Sequence, residues 1–382
     1  MRILIKMKIK KLYVKNFRNI REQEFQFHEG MNVLCGNNAQ GKTNLCEAIS
    51  LCMGPSFKGS RQSSYIPFSL DTAKEKTVIK IWFTTGNSDN ENIIEFSITG
   101  GKKEILYNNI PMKSAMELYG VLKYVVFIPE HLNLIKGNPE MRRDYLDSVA
   151  MMQTNAHLKK LSRYNKALRN KNNILSGIFD DRDLDYIIPQ IESWNEILGA
   201  EGLNVTYGRL KYFSSLKNIA GDLYKEISGG EELSLKYYSS IFERDDMSHT
   251  EIGGLLPQYL KKLSEDLTKE VRLKHTISGV HRDDMNFYIN GADAREYGSQ
   301  GQQRSIALVL KLAEAEIIRQ REETPIMILD DVLSELDSNR QQFVLNNIVN
   351  SQVFITCCNI DDIKNLDNGK VWRVEKGEFT LM

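Results

Sequence analysis

Eight consecutive residues near the amino end have the composition and spacing of a phosphate-binding loop. The segment reads Gly-Asn-Asn-Ala-Gln-Gly-Lys-Thr and fits the pattern G-x-x-x-x-G-K-[ST]. Glycines allow backbone N–H groups to surround phosphate oxygens closely. We expect Lys42 to reach the β- and γ-phosphates and the Thr43 hydroxyl to complete a Mg²⁺ coordination shell. The pattern predicts that ATP or a close relative binds at Gly36, Asn37, Asn38, Ala39, Gln40, Gly41, Lys42 and Thr43.

Two adjacent acids form a second group of candidate functional residues. Asp330 and Asp331 directly follow the apolar segment Pro325–Leu329, which has the pattern of a buried strand. Ligands of α/β sheets bind at the carboxyl ends of such strands. We expect Asp330 to hold Mg²⁺ through water, and Asp331 to act as the general base on the attacking water. The alternative is that the two acids simply cap a helix. The presence of a phosphate loop in the same chain argues against this alternative.

A third candidate group lies in a polar turn before a long amphipathic helix, expected at Gln303–Arg319. Ser299 and Gly301 belong to a Ser-Gln-Gly turn, and such a turn at a helix N-terminus can bind an anion. The chain already contains a phosphate loop, so we interpret this turn as a site for the γ-phosphate held by another copy. The alternative is an ordinary capped helix with polar glutamines. Asp337 ends a Ser-Glu-Leu-Asp segment that, taken alone, only predicts a helix start.

The composition excludes an overall basic field as a route to nucleic acid. The 382 residues contain 50 basic and 50 acidic side chains, so the formal net charge is zero. Two local basic segments leave a nucleic-acid role or a solvated surface equally open. Residues 1–20 contain seven basic residues and no acid, and a helical stretch carries Lys159, Lys160, Arg163, Lys166, Arg169 and Lys171.

Cysteine usage and hydropathy indicate where the protein works. Five cysteines, with no pair at metal-site spacing, argue against a disulfide framework and suit a reducing compartment. No apolar run approaches the length needed to cross a membrane. We therefore expect a cytoplasmic protein with no membrane partner.

The periodicity changes twice along the chain. Residues 1–128 show period-two strand patterns around the phosphate loop, residues 129–274 have mainly helical spacing, and residues 275–382 return to strands and helices. We expect the first and last segments to share one sheet. The predicted fold is α/β with an inserted, mainly helical lobe.

The motifs together resemble the RecF family of bacterial DNA replication and repair proteins, over essentially the whole length from Met7. The two most specific matches are Ser299–Arg304 and Leu329–Asp337. Supporting matches, in order and spacing, are Asn16–Asn19, the phosphate loop, Pro129–Gly137, Arg142-Arg143 with Leu146-Asp147, Gly279–Asp284 and, more weakly, Ser56–Lys58. One departure is Val280, where the family pattern has proline.

The resemblance implies an ABC-type ATPase head of the SMC-like group, without a long coiled coil. It implies an ATP-dependent homodimer that binds double-stranded DNA and single/double-strand junctions. It further implies work with RecR and RecO in loading recombinase, and a part in recombination, replication restart and the SOS response. It places Arg18 and Asn19 near the base or ribose of the nucleotide, Ser299 at the signature position and Asp337 in the loop that crosses to the partner's site.

The same resemblance predicts how the ATPase differs from its relatives. Asp331 is one methylene shorter than the glutamate usual in ABC-type ATPases, so we expect slow, DNA-stimulated hydrolysis that acts as a timed switch. Thr356 stands where many such proteins keep a histidine, which predicts weaker or different sensing of the γ-phosphate. The glutamine of the usual Q-loop has no clear position in the sequence.

Three other classes of function are alternatives to this interpretation. A structural SMC-type head would need long heptads, which the chain lacks. An ATPase-coupled nuclease would need an acidic metal-binding domain, for which the roughly fifty residues after Asp330 leave no room. A module that binds ATP without hydrolysing it remains open.

Overall fold

A computed structural model describes residues 5–54, 65–67, 75–86, 90–178, 184–245, 247–348, 350–359 and 369–382. The family-like segment Ser56–Lys58 and Met1 lie outside these residues. The chain divides into two compact units. The first contains Met1–Leu132 and Leu308–Met382, and the second contains Asn133–Ala307. Among the described helices, none has the length and apolar character that a membrane span requires.

An antiparallel sheet forms one layer of the first unit. Its long first strand, β1, pairs with both β2 and β4, and the sheet continues through β5 and β6 to β7. Apolar side chains alternate with polar ones, so Ile79, Ile81 and Phe83 of β4 are buried on one face. The strands are β1 (Ile5–Phe17), β2 (Ile20–Gln26), β4 (Thr77–Thr85), β5 (Glu91–Thr99), β6 (Lys102–Tyr107), β7 (Ile110–Pro111) and β12 (Glu323–Thr324), which pairs parallel with β1.

A six-stranded sheet forms the second layer of this unit, in the order β16-β15-β3-β14-β13-β8. All its neighbours are parallel except β15 and β16. The strands are β3 (Met31–Cys35), β8 (Tyr124–Phe127), β13 (Ile326–Leu329), β14 (Val353–Cys357), β15 (Gly369–Glu375) and β16 (Glu378–Leu381). Three helices accompany it: α1 (Lys42–Leu51), α7 (Gln300–Arg319) and α8 (Ser338–Ile348). The division between the units falls within α7.

The predicted pairing of the first and last segments of the chain is therefore present. Strand β3, near the amino end, lies between β14 and β15, which come from the last thirty residues. Strands β13 and β14 are short and almost fully buried, as parallel strands covered on both faces should be. The predicted α/β fold, a mixed sheet with a phosphate loop, is confirmed.

The second unit is mainly helical and also contains a small sheet. Its helices are α2 (Pro139–Gln153), α3 (Asn155–Ser176), α4 (Leu184–Ser228), α5 (Leu256–Glu265) and α6 (Leu267–Leu273). Its strands are β9 (Leu233–Tyr238), β10 (Asp284–Ile289) and β11 (Ala292–Asp293). The unit extends beyond the 129–274 segment expected from periodicity, because β10 pairs antiparallel with β9 from Asp284↔Tyr238 to Ile289↔Leu233. Ser299 consequently lies in this unit, and the expected third segment, 275–382, is divided at residue 307.

A buried network of charged side chains holds the second unit together. The Arg209 guanidinium donates to both Asp147 oxygens at 2.8 Å and to the carbonyl of Val280 at 2.8 Å. Burial by itself raises the pKa of the Asp147 carboxyl, but Arg209 and His157 overcome this effect and lower that pKa to about 2. Removing one partner from such a network leaves a buried charge uncompensated, which is strongly destabilising.

Residues of two motifs that match the RecF family, Gly279–Asp284 and Arg142-Arg143, also make buried polar contacts in this unit. Asp283 is buried and accepts hydrogen bonds from the Tyr237 hydroxyl and from the Ser240 backbone N–H at 2.9 Å. Arg142 is almost fully buried and donates to Asp284 at 2.6 Å and to the backbone carbonyl of Leu134 at 3.1 Å. Asp283 and Arg142 are therefore committed to contacts in the interior of the unit.

Candidate nucleotide-binding site

The phosphate loop connects β3 to α1, and packing against β15 and the turn between β1 and β2 explains its glycines. A Cβ atom on Gly36 would lie 2.3 Å from the carbonyl oxygen of Val374. Gly41 has φ +119°, and a Cβ there would lie 2.7 Å from the Asn19 side chain. No larger residue fits either position without moving backbone or the loop's own support. The sequence pattern thus reflects steric requirements on both flanks of the loop.

Lys42 is the charged group inside this loop. Its side chain is almost completely buried, and its ammonium donates to the carbonyl oxygens of Gly36 and, at 3.3 Å, of Asn37. These carbonyls hold the ammonium against the turn that the phosphates of a nucleotide would enter. The position agrees with the role predicted for Lys42.

Thr43, Asp330 and Thr356 come together at the carboxyl ends of β3, β13 and β14. The Thr43 hydroxyl donates to Asp330 Oδ1 at 2.9 Å, although the two residues are 287 positions apart in the chain. The Thr356 hydroxyl donates to the same oxygen at 3.1 Å. Asp330 is buried, so these two hydroxyls stabilise its carboxylate in place of water.

Asp331 is held in an unusual backbone conformation beside this group. Its φ is +56°, a region that non-glycine residues rarely adopt, and its N–H donates to the Thr356 hydroxyl at 2.7 Å. The Ser334 hydroxyl donates to the Asp331 carbonyl at 2.7 Å. The side chain is only half-buried. Its position at the end of β13, next to Thr356, suits the general-base role.

The sequence did not point to Thr356 as a structural part of the site. In the sequence it stands out only as a replacement for histidine, whereas its hydroxyl connects both predicted acids. A threonine at the end of an apolar strand gives no sign of this role. Thr356 meets Asp330 and Asp331 only because β13 and β14 are neighbours in the sheet.

Arg18 and Asn19, predicted to contact the nucleotide, support the phosphate loop and α1. Arg18 pairs with the buried carboxylate of Glu47 on α1 at 2.5 Å. The Asn19 amide donates to the carbonyl of Gln40 at 2.9 Å, and its oxygen accepts from Asn44 at 2.8 Å. In this arrangement both side chains position the loop.

The central loop residues have different surroundings. Asn37, Asn38 and Ala39 are exposed, and Ala39 has φ +62°, so this part of the loop offers its backbone to a ligand. Gln40 instead accepts a hydrogen bond from the backbone N–H of Lys376 at 2.7 Å through its side chain. We therefore expect Gln40 to anchor the loop to the β15–β16 turn.

The signature turn lies at the start of α7, in the second unit. The Ser299 hydroxyl accepts from the N–H of Gln302 at 3.2 Å, and the Gln302 side chain accepts from the N–H of Ser299 at 2.9 Å. This reciprocal pair is a capping box that stabilises the helix start. Gly301 is half-buried in the first turn. Ser299 is thus an exposed helix cap.

Asp337 also acts as a helix cap. Its carboxylate accepts from the N–H of Arg340 at 3.0 Å, at the start of α8, and pairs with the Arg340 guanidinium. The Arg340 N–H and guanidinium lower the pKa of this exposed carboxyl. The local sequence predicts a helix start in this segment, and Asp337, not the serine of the segment, supplies the cap of α8.

The donor atoms at Thr43 and Asp330 fit a magnesium ion. In the described part of the chain, no three His, Cys, Asp or Glu side chains are grouped to hold a metal. Mg²⁺ typically takes one or two carboxylates, keeps several waters and uses phosphate oxygens of the substrate. The Thr43 hydroxyl and the Asp330 carboxylate oxygen, 2.9 Å apart, would be the protein's share of such a site.

A parallel sheet with a phosphate loop, an Asp-Asp strand end and an inserted helical lobe defines the class of ABC-type ATPase heads. The family described as RecF/RecN/SMC N terminal domain matches residues 8–378. The DNA replication and repair protein RecF of Agathobacter rectalis is 39% identical, over 98% of this chain and 99% of its own length. RecF of Clostridioides difficile is 34% identical, over 97% of this chain and 100% of its own. The chain belongs to the RecF family of DNA replication and repair proteins.

Solved structures agree with this assignment. A structure described as the recombination mediator protein RecF-ATPrS in the RecFOR pathway aligns with a TM-score of 0.88 at 34% identity, over 100% of both chains. An Smc head domain from Pyrococcus furiosus aligns with a TM-score of 0.54 at 16% identity, over 98% of this chain and 96% of its own. The second likeness concerns the fold alone, so the comparisons favour a RecF-type protein over a structural SMC head.

Cys358 gives a direct probe of this site. Its exposed thiol lies 3.7 Å from the Lys42 ammonium and 3.1 Å from Asn38 Oδ1, whereas Cys46 and Cys52 are fully buried. Thiols in exposed, electropositive surroundings react first. We expect iodoacetamide to alkylate Cys358 before the other cysteines, and saturating ATP to slow this labelling. Peptide mass spectrometry measures both rates, with Cys358→Ser as the control; equal labelling with and without ATP would place the nucleotide elsewhere.

Proposed function

We propose that the chain binds ATP with Mg²⁺ at the phosphate loop and hydrolyses it slowly, as a switch that controls binding to DNA. The observation that carries the proposal is the hydrogen bond between Thr43 and Asp330, 2.9 Å long, at the mouth of the loop. It joins the two predicted metal-binding groups. A second similar structure, described as RecF-ATP in the RecFOR pathway, supports the choice of nucleotide; that chain is 33% identical and has a TM-score of 0.86.

Each residue of the site has a distinct role in this proposal. The loop N–H groups of residues 36–41 and the Lys42 ammonium bind and orient the phosphates. Thr43 and Asp330 hold Mg²⁺, which would neutralise charge on the β- and γ-phosphates when bound. Asp331 accepts the proton of the attacking water. Hydrogen bonds of its backbone with Thr356 and Ser334 hold Asp331 in position.

Two copies complete each site. Ser299 and Gly301 of one copy would face the γ-phosphate bound by the other, and Asp337 would approach the same interface. The exposure of Ser299 and its place at a helix N-terminus, where N–H groups favour anions, support this arrangement. The resulting ATP-dependent homodimer would hold duplex DNA, and hydrolysis would release it.

The family sets the biological context that we propose for this switch. The dimer would act at single/double-strand junctions together with RecR and RecO, in recombination, replication restart and the SOS response. DNA binding would stimulate a weak ATPase, since the shorter Asp331 is expected to act slowly. We place this activity in the cytoplasm, in keeping with five free thiols.

The dimer is tested most sharply at Ser299. Ser299→Asp keeps an equally good helix cap but adds a negative charge opposite the γ-phosphate, whereas Ser299→Asn keeps the cap without charge. With ATP and Mg²⁺, light scattering should give the mass of a dimer for wild type and that of a monomer for Ser299→Asp. Ser299→Asn should retain part of the dimer, and all three proteins should unfold at similar temperatures. An ATP-dependent dimer that tolerates the aspartate would contradict the placement of Ser299.

A further inference from the structure

Helix α3 carries basic residues and no acids. Its 22 residues, Asn155–Ser176, contain six lysines and arginines and not one aspartate or glutamate. The net charge of the whole chain is zero, so a helix with only basic charged residues requires an explanation.

Four of the six basic residues occupy the exposed face of α3; Lys160 is half-buried and Lys171 is buried. Lys159, Arg163, Lys166 and Arg169 follow one another at steps of three or four, so they lie on one side of the helix. All four are exposed, and the opposite side packs inward through Tyr164 and Ala167. We name these four residues the α3 stripe. Lys171, which the sequence grouped with them, is fully buried and pairs with Glu270 at 2.6 Å; it is not part of this surface.

Most of the positive charge on the α3 stripe is not neutralised. Arg163 pairs with Glu201 on α4 at 3.3 Å, while its side chain remains 71% exposed. In the part of the chain that the structure describes, no carboxylate pairs with Lys159, Lys166 or Arg169. Three exposed, unpaired cations on one helical face produce a local positive potential.

The basic amino-terminal segment does not present a comparable set of unpaired cations. Lys8 pairs with Glu29, Lys11 with Glu24 at 2.7 Å, and Lys15 with Glu22 at 3.0 Å. These pairs show that most of the β1 lysines have local carboxylate partners. Of the two basic segments that the sequence left open, α3 is therefore the stronger candidate for contact with an anionic partner.

The remaining chemistry of this face favours DNA over an acidic protein. Protein interfaces place apolar and aromatic side chains at their centre and are depleted in lysine, whereas DNA interfaces are polar and strongly positive. Among the described residues, no large hydrophobic side chain of α3 is exposed. Ser162 and Asn170, which share the face, can donate hydrogen bonds to phosphate oxygens.

We propose that the α3 stripe binds the phosphate backbone of double-stranded DNA. From Lys159 to Arg169 the helix rises about 15 Å, which spans about four phosphates of one strand. The contacts would be independent of base sequence and sensitive to salt. This assignment rests on the proposed DNA-binding function and specifies a surface for it.

The test compares two triple variants of equal charge. The first, Lys159→Ala/Lys166→Ala/Arg169→Ala, removes the unpaired cations of the α3 stripe. The second, Lys102→Ala/Lys103→Ala/Lys225→Ala, removes three exposed lysines that no described carboxylate pairs with and that do not share a helical face. Binding of a gapped duplex is measured by anisotropy, with ATP, at several salt concentrations. The stripe variant should bind on the order of 10–100-fold more weakly at 0.1 M salt, and its slope of log K against log[salt] should fall by about 2–3.

The control variant should change neither quantity appreciably, and Lys159→Arg/Lys166→Arg should retain wild-type binding because phosphates accept either cation. Melting temperature and ATP affinity show whether each variant is folded and functional. If wild type binds DNA and both triple variants lose affinity equally, charge alone is responsible and the proposal is wrong. If the stripe variant binds as wild type does, an acidic protein or solvent faces α3. If wild type shows no DNA binding, the proposed function itself fails, which is a separate result.

Discussion

Asp331→Asn should lower the turnover number for ATP by about 10²–10⁴-fold while leaving ATP affinity nearly unchanged. The amide cannot accept the proton of the attacking water, but it has the size of the carboxylate. Asparagine also tolerates the positive φ of this position better than most residues, so the contacts with Thr356 and Ser334 should persist. The measurement is phosphate release under saturating ATP, with ATP affinity measured separately by calorimetry.

The same variant should lengthen the life of the ATP-bound dimer on DNA. If hydrolysis is the step that releases DNA, a protein that binds ATP but does not cleave it should dissociate more slowly after dilution. Glu104→Gln is a matched control, because it makes the same carboxylate-to-amide change at an exposed position on β6, outside the site. Asp331→Asn with wild-type turnover would exclude Asp331 as the base, and fast release from DNA without hydrolysis would exclude the switch.

Lys42→Ala should produce the opposite defect, a protein that does not enter the ATP-bound state. The substitution removes the only side-chain cation placed inside the loop, among the described residues. Charge-assisted hydrogen bonds contribute about 1.5–3 kcal/mol each, so we expect ATP to bind about 10–100-fold more weakly. Calorimetric titration with ATP and Mg²⁺ gives the affinity directly.

The consequences for assembly make Lys42→Ala the broadest test of the proposed function. DNA retention and dimer mass should be high with ATP, low with ADP, and low with ATP for the variant. Lys102→Ala, at an exposed site on β6, serves as the control for loss of one charge. DNA binding indifferent to ATP, to ADP and to Lys42→Ala would contradict an ATP-dependent clamp. The buried Lys42 could also affect folding, so the melting temperature is measured in parallel.

Local sequence identified the candidate residues of this site wherever a motif is continuous. The phosphate loop needs small residues at Gly36 and Gly41, and the structure explains both through nearby Val374 and Asn19. The strand before Asp330 was visible as a short apolar run because parallel strands are buried on both faces. Such features depend on contiguous residues, so periodicity and spacing are sufficient to find them.

Features that depend on residues far apart in the chain were harder to predict. Lys171 shares the charge and the helix of the α3 stripe, but its position on the inward side buries it against Glu270. Periodicity predicted the helix, whereas the neighbour that it packs against was not visible. The second unit also extends beyond the boundary expected at residue 274, up to Ala307. Strand β10 follows that boundary and pairs with β9, and this distant pairing was not visible in the sequence.

The sequence by itself determined that this chain has a phosphate loop, a pair of acids at a strand end, and the motif order of the RecF family. Those properties reside in short segments whose residue types are set by local sterics and charge. Only the tertiary structure decided which groups meet. It brought Thr43 to Asp330, made Thr356 the connection between two acids, and committed Arg142 and Asp283 to a buried network. The physical reason is that sheet order and burial, which select these partners, arise from contacts between distant parts of the chain.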